Sequence, residues 1–183
     1  PLTGANDLVM DGRGGGYDAG YGVRVAGGDV WVAGYSRAVE AAGGEDLDLA
    51  LWRFDTGGRL KAGPFLRPGY IASAQAAKSV KLESFAGSFY AAAARSEGGL
   101  GLVKFDQGGR VLSERRWGAS YISEIEATGI AVDGSSHVVV AGRIFSGEAA
   151  RLGLWRYDAA GGFIDARSVP GVGAARPPRP ASI

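Results

Sequence analysis

The chain has 183 residues, 46% of them hydrophobic and 21% charged, the balance of a globular protein with a core to bury rather than of a disordered chain. Its 20 basic and 19 acidic residues leave a net charge of +1, which announces neither a nucleic acid nor a membrane surface as partner. With no cysteine there are no disulfides and no thiolate metal sites, and no apolar run approaches the ~20 residues of a membrane helix. Glycine occupies 32 positions without a collagen period, so many tight turns separate many short strands.

In chain order, residues 1–16 hold the short apolar run Leu8-Val9-Met10, nine residues before Tyr17. Gly22-Val23-Arg24-Val25 then turns through Gly27-Gly28 into Val30-Trp31-Val32-Ala33-Gly34, which predicts a hairpin. Leu49-Ala50-Leu51-Trp52-Arg53-Phe54-Asp55 follows, apolar on both alternating sets, as a strand sandwiched between two layers must be. An Asp-x-Gly-Gly turn leads into a more polar strand from Leu60.

The pattern returns twice. Val80-Lys81-Leu82 turns near Gly87 into Phe89-Tyr90-Ala91-Ala92, and Leu100-Gly101-Leu102-Val103-Lys104-Phe105-Asp106 precedes the polar Val111-Leu112-Ser113-Glu114-Arg115-Arg116. Gly129-Ile130-Ala131-Val132-Asp133 turns into His137-Val138-Val139-Val140-Ala141-Gly142, and Leu152-Gly153-Leu154-Trp155-Arg156-Tyr157-Asp158 leads to a last strand, Phe163 to Arg167. A period near fifty residues with two hairpins per copy is the sequence signature of a four-stranded propeller blade. β-branched and aromatic runs broken this often by glycine exclude long helices.

The expected architecture is therefore an all-β, incomplete β-propeller ring of three four-stranded blades. The boundaries are an outer strand of a preceding blade and loop at 1–16, blades at 17–67, 68–117 and 118–168, and a Pro-rich tail or linker at 169–183. Closed propellers have at least four blades, and an open arc of three leaves two apolar faces wet. The expectation is either a fragment of a longer chain or a protomer whose self-association closes the ring. Pro1 is preceded by no basic, apolar leader, which fits a processed or partial chain.

Residues 129–133, 138–142 and 152–162 carry a resemblance to bacterial secreted β-propeller repeats of the form Gly-Ile-Ala-Val-Asp, Val-Tyr-Val-Ala-Gly, Leu-x-Lys-Tyr-Asp-x-x-Gly. The resemblance covers about residues 17–167 and implies the propeller fold and an extracytoplasmic setting, but no particular activity. The middle repeat departs from it, lacking the Val-Asp and Ala-Gly signatures.

Candidate function rests on the long connections at one side of the scaffold. Tyr17, Tyr70 and Tyr121 recur there at 53 and 51 residues, and Arg37, Arg95 and Arg143 follow the second strand of each blade. Together they suit a sugar ring by stacking and an acidic group by charge-assisted bonds. The structural alternative is that Tyr covers the joint between blades while Arg pairs with loop acids. Arg53, Lys104 and Arg156 are expected to pair with Asp55, Asp106 and Asp158. Glu45, Asp46 and Asp48 lack the ligand spacing of a calcium loop.

His137, the single histidine, falls at a turn exit, with no Gly-x-Ser-x-Gly elbow to make it part of a triad. No catalytic, metal or cofactor constellation stands out, and the glycines at 12–16 form a loop rather than a dinucleotide fingerprint. The reading is a non-enzymatic binding or scaffold module for a protein or carbohydrate ligand, extracytoplasmic, with no cofactor, nucleic acid or membrane insertion. The alternative is a fragment of a propeller hydrolase or lyase with its catalytic residues in missing blades, for which Glu124 and Glu126 are the local acids to test.

Overall fold

The computed structural model describes residues 18–37, 47–71, 78–96, 98–118, 124–146 and 149–170. Among them are twelve strands: β1 (Asp18–Ala26), β2 (Asp29–Arg37), β3 (Leu47–Phe54), β4 (Leu60–Ile71), β5 (Lys81–Phe85), β6 (Ser88–Ala94), β7 (Leu100–Asp106), β8 (Val111–Trp117), β9 (Glu124–Val132), β10 (Val138–Ser146), β11 (Ala149–Tyr157) and β12 (Phe163–Pro170). They form three antiparallel sheets of consecutive strands, β1 to β4, β5 to β8 and β9 to β12. β1 packs beside β5 and β5 beside β9, so the first strand of each sheet faces a common axis. This is the blade arrangement of an incomplete propeller.

The Asp-x-x-Gly turns repeat in chemistry as well as in sequence. The carbonyls of Asp55, Asp106 and Asp158 accept from the N–H groups of Gly58, Gly109 and Gly161 at 3.0, 3.0 and 2.9 Å. Those glycines have φ of 82°, 81° and 88°, where a side chain would be strained. Each Asp carboxylate also accepts from its own turn, from Arg59 N–H at 2.8 Å, Gly108 N–H at 2.8 Å and Gly162 N–H at 2.6 Å.

Strand alternation divides the apolar residues between two joints. Trp31, Leu49 and Leu51 of the first sheet pack with Leu82, Phe89, Val103 and Phe105 of the second, where the Trp31 and Phe89 rings lie 4.1 Å apart. The opposite face of the second sheet, with Tyr90, Leu100 and Leu102, packs on Ile130, Val140, Trp155 and Tyr157 of the third. The middle sheet is therefore buried on both faces, at about 1.5–3 kcal/mol for each large apolar side chain taken from water.

The outer strands β4, β8 and β12 face water over much of their length, exposing Lys61, Arg115, Arg116, Arg167 and Ser168 and also the apolar Leu60, Val111, Leu112, Phe163, Ile164 and Val169. Two strands are longer than expected. β4 continues to Ile71 because Ile71 pairs with Leu47 and the Asp48 carboxylate accepts from Gly69 N–H at 2.9 Å, which places Tyr70 on the outer strand of the first sheet. β12 continues from Arg167 to Pro170. Leu8 to Met10 and most of the C-terminal segment lie outside the described residues. No described helix is long and apolar enough to cross a membrane.

Candidate functional site

A β-bulge recurs at one position of the repeat, early in the first strand of two sheets. In β1 the register shifts between Gly20 and Gly22, leaving Tyr21 outside the ladder. In β9, Ala127 pairs with Gly142 and Gly129 with Ala141, leaving Thr128 outside it. A bulge re-aims one side chain while the neighbouring pairs keep their places. At Tyr21 the result is an aromatic stack with Tyr35, centroids 6.3 Å apart and planes 19° from parallel. Tyr21 is exposed and Tyr35 half-buried. Partial burial pushes the Tyr35 phenol up, with Tyr21 and Asp18 adding to the shift.

At Thr128 the bulge borders a recess of about 340 Å³ lined by Lys78, Ser79, Lys81, Glu126, Ala127 and Thr128. It lies between the second and third sheets where β5 and β9 begin. The Lys81 ammonium donates to the carbonyls of Lys78 at 3.1 Å and Val80 at 3.3 Å, leaving one of its three donors uncommitted among the described residues. Burial lowers the Lys81 pKa, and the Glu126 carboxylate partly restores it. Arg143, opposite Glu126 in the ladder, holds a loose ion pair with it at 3.9 Å.

The two halves belong to one end of the fold. A Cβ at Gly22 would lie 2.8 Å from the Leu82 backbone nitrogen and 3.3 Å from the Lys81 carbonyl carbon. Tyr21 is thus one residue from the contact between β1 and the start of β5. The stacked tyrosines belong to the joint of the first and second sheets and the lysine recess to that of the second and third, with β5 between them. Neither Tyr21 nor Lys81 was singled out by sequence reasoning. The signal was present as the Gly-Tyr-Gly of 20–22 and the Thr-Gly of 128–129, glycine inside a strand pattern being a bulge signature.

The residues expected from the sequence are distributed differently. Tyr17 and Tyr121 lie outside the described residues. Tyr70 is 2% exposed and belongs to the joint between the first two sheets. Arg95 is also buried, with its guanidinium 5.6 Å from the Tyr70 ring centroid. The three arginines do not share a register position: Arg37 ends β2, Arg95 follows β6, and Arg143 lies inside β10 rather than in a connection after it. Aligned on the pairs Val32–Trp52, Ala91–Val103 and Val140–Trp155, they fall on three successive positions, and one residue of slip turns a strand side chain to the other face. Arg95 therefore turns into the joint, while Arg143 borders the recess.

The strand basics find partners other than the turn aspartates. Arg53 and Lys61 both bind the buried Asp29 carboxylate, with Arg53 Nε and Lys61 Nζ each at 2.6 Å. Lys104 Nζ and Tyr90 Oη donate to the Ala159 carbonyl at 2.7 Å, and Arg156 forks onto Asp165. Asp55, Asp106 and Asp158 are taken up by their own turns. His137 sits at its turn exit with Nδ1 3.1 Å from Asp133, whose other oxygen accepts from the Ser135 and His137 N–H groups. That carboxylate caps a turn. Glu45 and Asp46 lie outside the described residues, and among those described no cluster of His, Asp and Glu is built to hold a metal.

No known protein family matches the sequence, and no curated protein matches it. Solved structures match it in fold. An α-L-arabinofuranosidase from Clostridium thermocellum ATCC 27405 aligns over 87% of this chain at 12% identity, with a TM-score of 0.46. The β-1,2-mannobiose phosphorylase of Listeria innocua, solved with β-1,2-mannobiose, aligns over 94% at 13% identity, with a TM-score of 0.52. The chain spans 57% of the first and 64% of the second. The phosphorylase is a β-propeller enzyme, and at 13% identity the likeness is one of architecture: the chain is three four-stranded blades of an incomplete β-propeller.

Proposed function

We propose that this chain is a non-enzymatic propeller module that binds an acidic oligosaccharide where the first strands of its sheets begin, within a larger extracytoplasmic bacterial protein. The observation that carries the reading is the presence, at the equivalent bulges of two first strands, of the stacked Tyr21–Tyr35 pair and of the recess of Lys78, Lys81, Glu126 and Thr128. An exposed aromatic face suits the apolar face of a sugar ring, and an ammonium with a spare donor suits a carboxylate. Lys78, Lys81 and Arg143 outnumber Glu126 among the described side chains, favouring an acidic over a neutral sugar. The mannobiose complex of the Listeria phosphorylase adds a carbohydrate precedent on the same architecture.

Calorimetric titration with oligogalacturonate and with neutral mannobiose tests this. The acidic ligand is expected to bind more tightly, and Tyr21→Ala and Lys81→Ala each to weaken it roughly five- to tenfold. Its affinity should fall at alkaline pH before an ordinary lysine titrates, because burial lowers the Lys81 pKa. A folded protein that binds neither sugar refutes the reading.

Glu126, a carboxylate in the same recess, favours a second reading as part of a propeller hydrolase or lyase. Product release from either oligosaccharide that Glu126→Gln abolishes would establish it, and full activity in that variant would clear the residue.

A further inference from the structure

The two joints between sheets differ at the end of the strands remote from the lysine recess. Trp31 and Tyr90 occupy one repeat position, opposite Arg53 and Lys104 in the ladders, and each cation lies over its ring, 5.3 and 5.4 Å from the centroid. In the second joint the neighbouring sheet uses both groups: Lys104 Nζ and Tyr90 Oη donate to the carbonyl of Ala159, the residue after the turn aspartate. In the first joint the residue after the turn aspartate is Gln107, and Arg53 turns instead to Asp29 of its own sheet. Between the two sheets a cavity of about 250 Å³ stands open at that place.

The walls of the cavity are chemically selective. Ala26, Phe85 and Phe89 give it apolar surface, while Arg53 and Gln107 give it donors. Arg53 commits Nε and Nη2 to Asp29, which leaves the N–H groups of Nη1 without a partner among the described residues. The Gln107 amide is uncommitted as well, and a Cβ at Gly87 would lie 3.1 Å from its Nε2, so the amide reaches across the turn between β5 and β6. No carboxylate lines the cavity. Arg53 and Lys61 share the single charge of Asp29, so that cluster carries a net +1. Spare donors, a positive neighbour and apolar walls select an anion with an apolar body. The volume lies just below the range of drug-sized pockets, which limits that body to about one ring.

We propose that this cavity binds a small monocarboxylate with an apolar body, its carboxylate held by Arg53 Nη1 and the Gln107 amide and its body against Phe85 and Phe89. The carboxylate then supplies in the first joint the acceptor oxygen that the Ala159 carbonyl supplies in the second. The inference does not depend on the oligosaccharide reading, whose residues lie where β1 and β5 begin rather than where they end.

Calorimetric titration of the intact chain with phenylacetate, and with phenylacetamide as its neutral counterpart, tests this. Phenylacetate is expected to bind about tenfold more tightly than the amide or better. Gln107→Ala, at an exposed turn position, should weaken phenylacetate roughly three- to tenfold, and Arg53→Gln more than about tenfold. Arg53 also holds the buried Asp29, so Ser84→Leu, which fills the cavity and leaves that ion pair in place, supplies an independent arm and should abolish binding. Circular dichroism checks that each variant is folded. A folded wild-type protein that leaves millimolar phenylacetate unbound overturns the inference. So do equal affinities for the acid and the amide, or phenylacetate binding that is unchanged in Gln107→Ala and Ser84→Leu.

Discussion

Tyr70 is the residue whose role the structure changes most, and its contact with Gly101 allows that change to be measured. A Cβ at Gly101 would lie 1.8 Å from the Tyr70 hydroxyl oxygen, 2.5 Å from its Cζ and 2.9 Å from Arg95 Cδ. All three atoms are packed in a joint whose members are nearly fully buried, so none yields cheaply. Overpacking of this kind costs about 1–3 kcal/mol, against ~0.4–1 kcal/mol returned by the lower unfolded-state entropy of alanine. Gly101→Ala should therefore destabilise by roughly 1–2 kcal/mol, a fall in Tm of about 2–8 °C for a chain of this size. The Tyr70 hydroxyl is buried and meets no hydrogen-bond partner among the described residues. Removing it in Tyr70→Phe relieves an unpaid desolvation cost and should raise stability by up to about 1 kcal/mol. In the double variant the nearest clash is gone, so the cost of Gly101→Ala should shrink by ~0.5 kcal/mol or more. Urea unfolding of the four proteins reads all three quantities. A Tyr70→Phe variant that loses more than about 1 kcal/mol, or a Gly101→Ala cost that is the same in both backgrounds, would refute this account of the joint.

Two other expectations concern pH. Burial pushes the phenols of Tyr70 and Tyr157 well above the ordinary 10.0, so the folded protein keeps both protonated while the unfolded chain ionises. Stability should therefore fall as pH rises above about 10, by ~1.4 kcal/mol per pH unit for each residue, and Tm measured from pH 9 to 12 should fall less steeply in the Phe variants. Asp29 behaves in the opposite sense: hydrogen bonds from Lys61 and Arg53 hold its carboxyl below the usual range, so its contribution is present above the unfolded pKa and lost as pH falls through the folded one. Asp29→Asn should lower Tm at pH 7, with the difference from wild type shrinking towards pH 2. A difference constant across that range would remove the ion pairs from the explanation.

The repeat itself made the architecture legible. Leu49-x-Leu51-Trp52 and its copies are apolar on both faces, and only a strand between two layers is written that way. The Asp-x-x-Gly turns announced themselves because their glycines adopt a backbone conformation other residues resist. The sites were less legible, for a reason that Arg37, Arg95 and Arg143 make plain. Spacing in a sequence counts residues, whereas a strand presents alternate residues to opposite faces, so arginines at similar places in the repeat can turn into a joint, as Arg95 does, or pair beside a recess, as Arg143 does. The bulges at Tyr21 and Thr128 are a second case. Their glycines are visible in the sequence, but which side chain leaves the ladder depends on the partner strand.

The amino-acid order alone thus settled the strand content, the period, the turns and the two-sided burial of the repeat, because each depends on neighbours within a few residues. The tertiary structure decided that Tyr70 closes a joint against Gly101, that Asp29 gathers Arg53 and Lys61, and that Tyr21 stacks on Tyr35. Each of those contacts joins residues from different strands or sheets, and their distance apart is set by how the sheets pack.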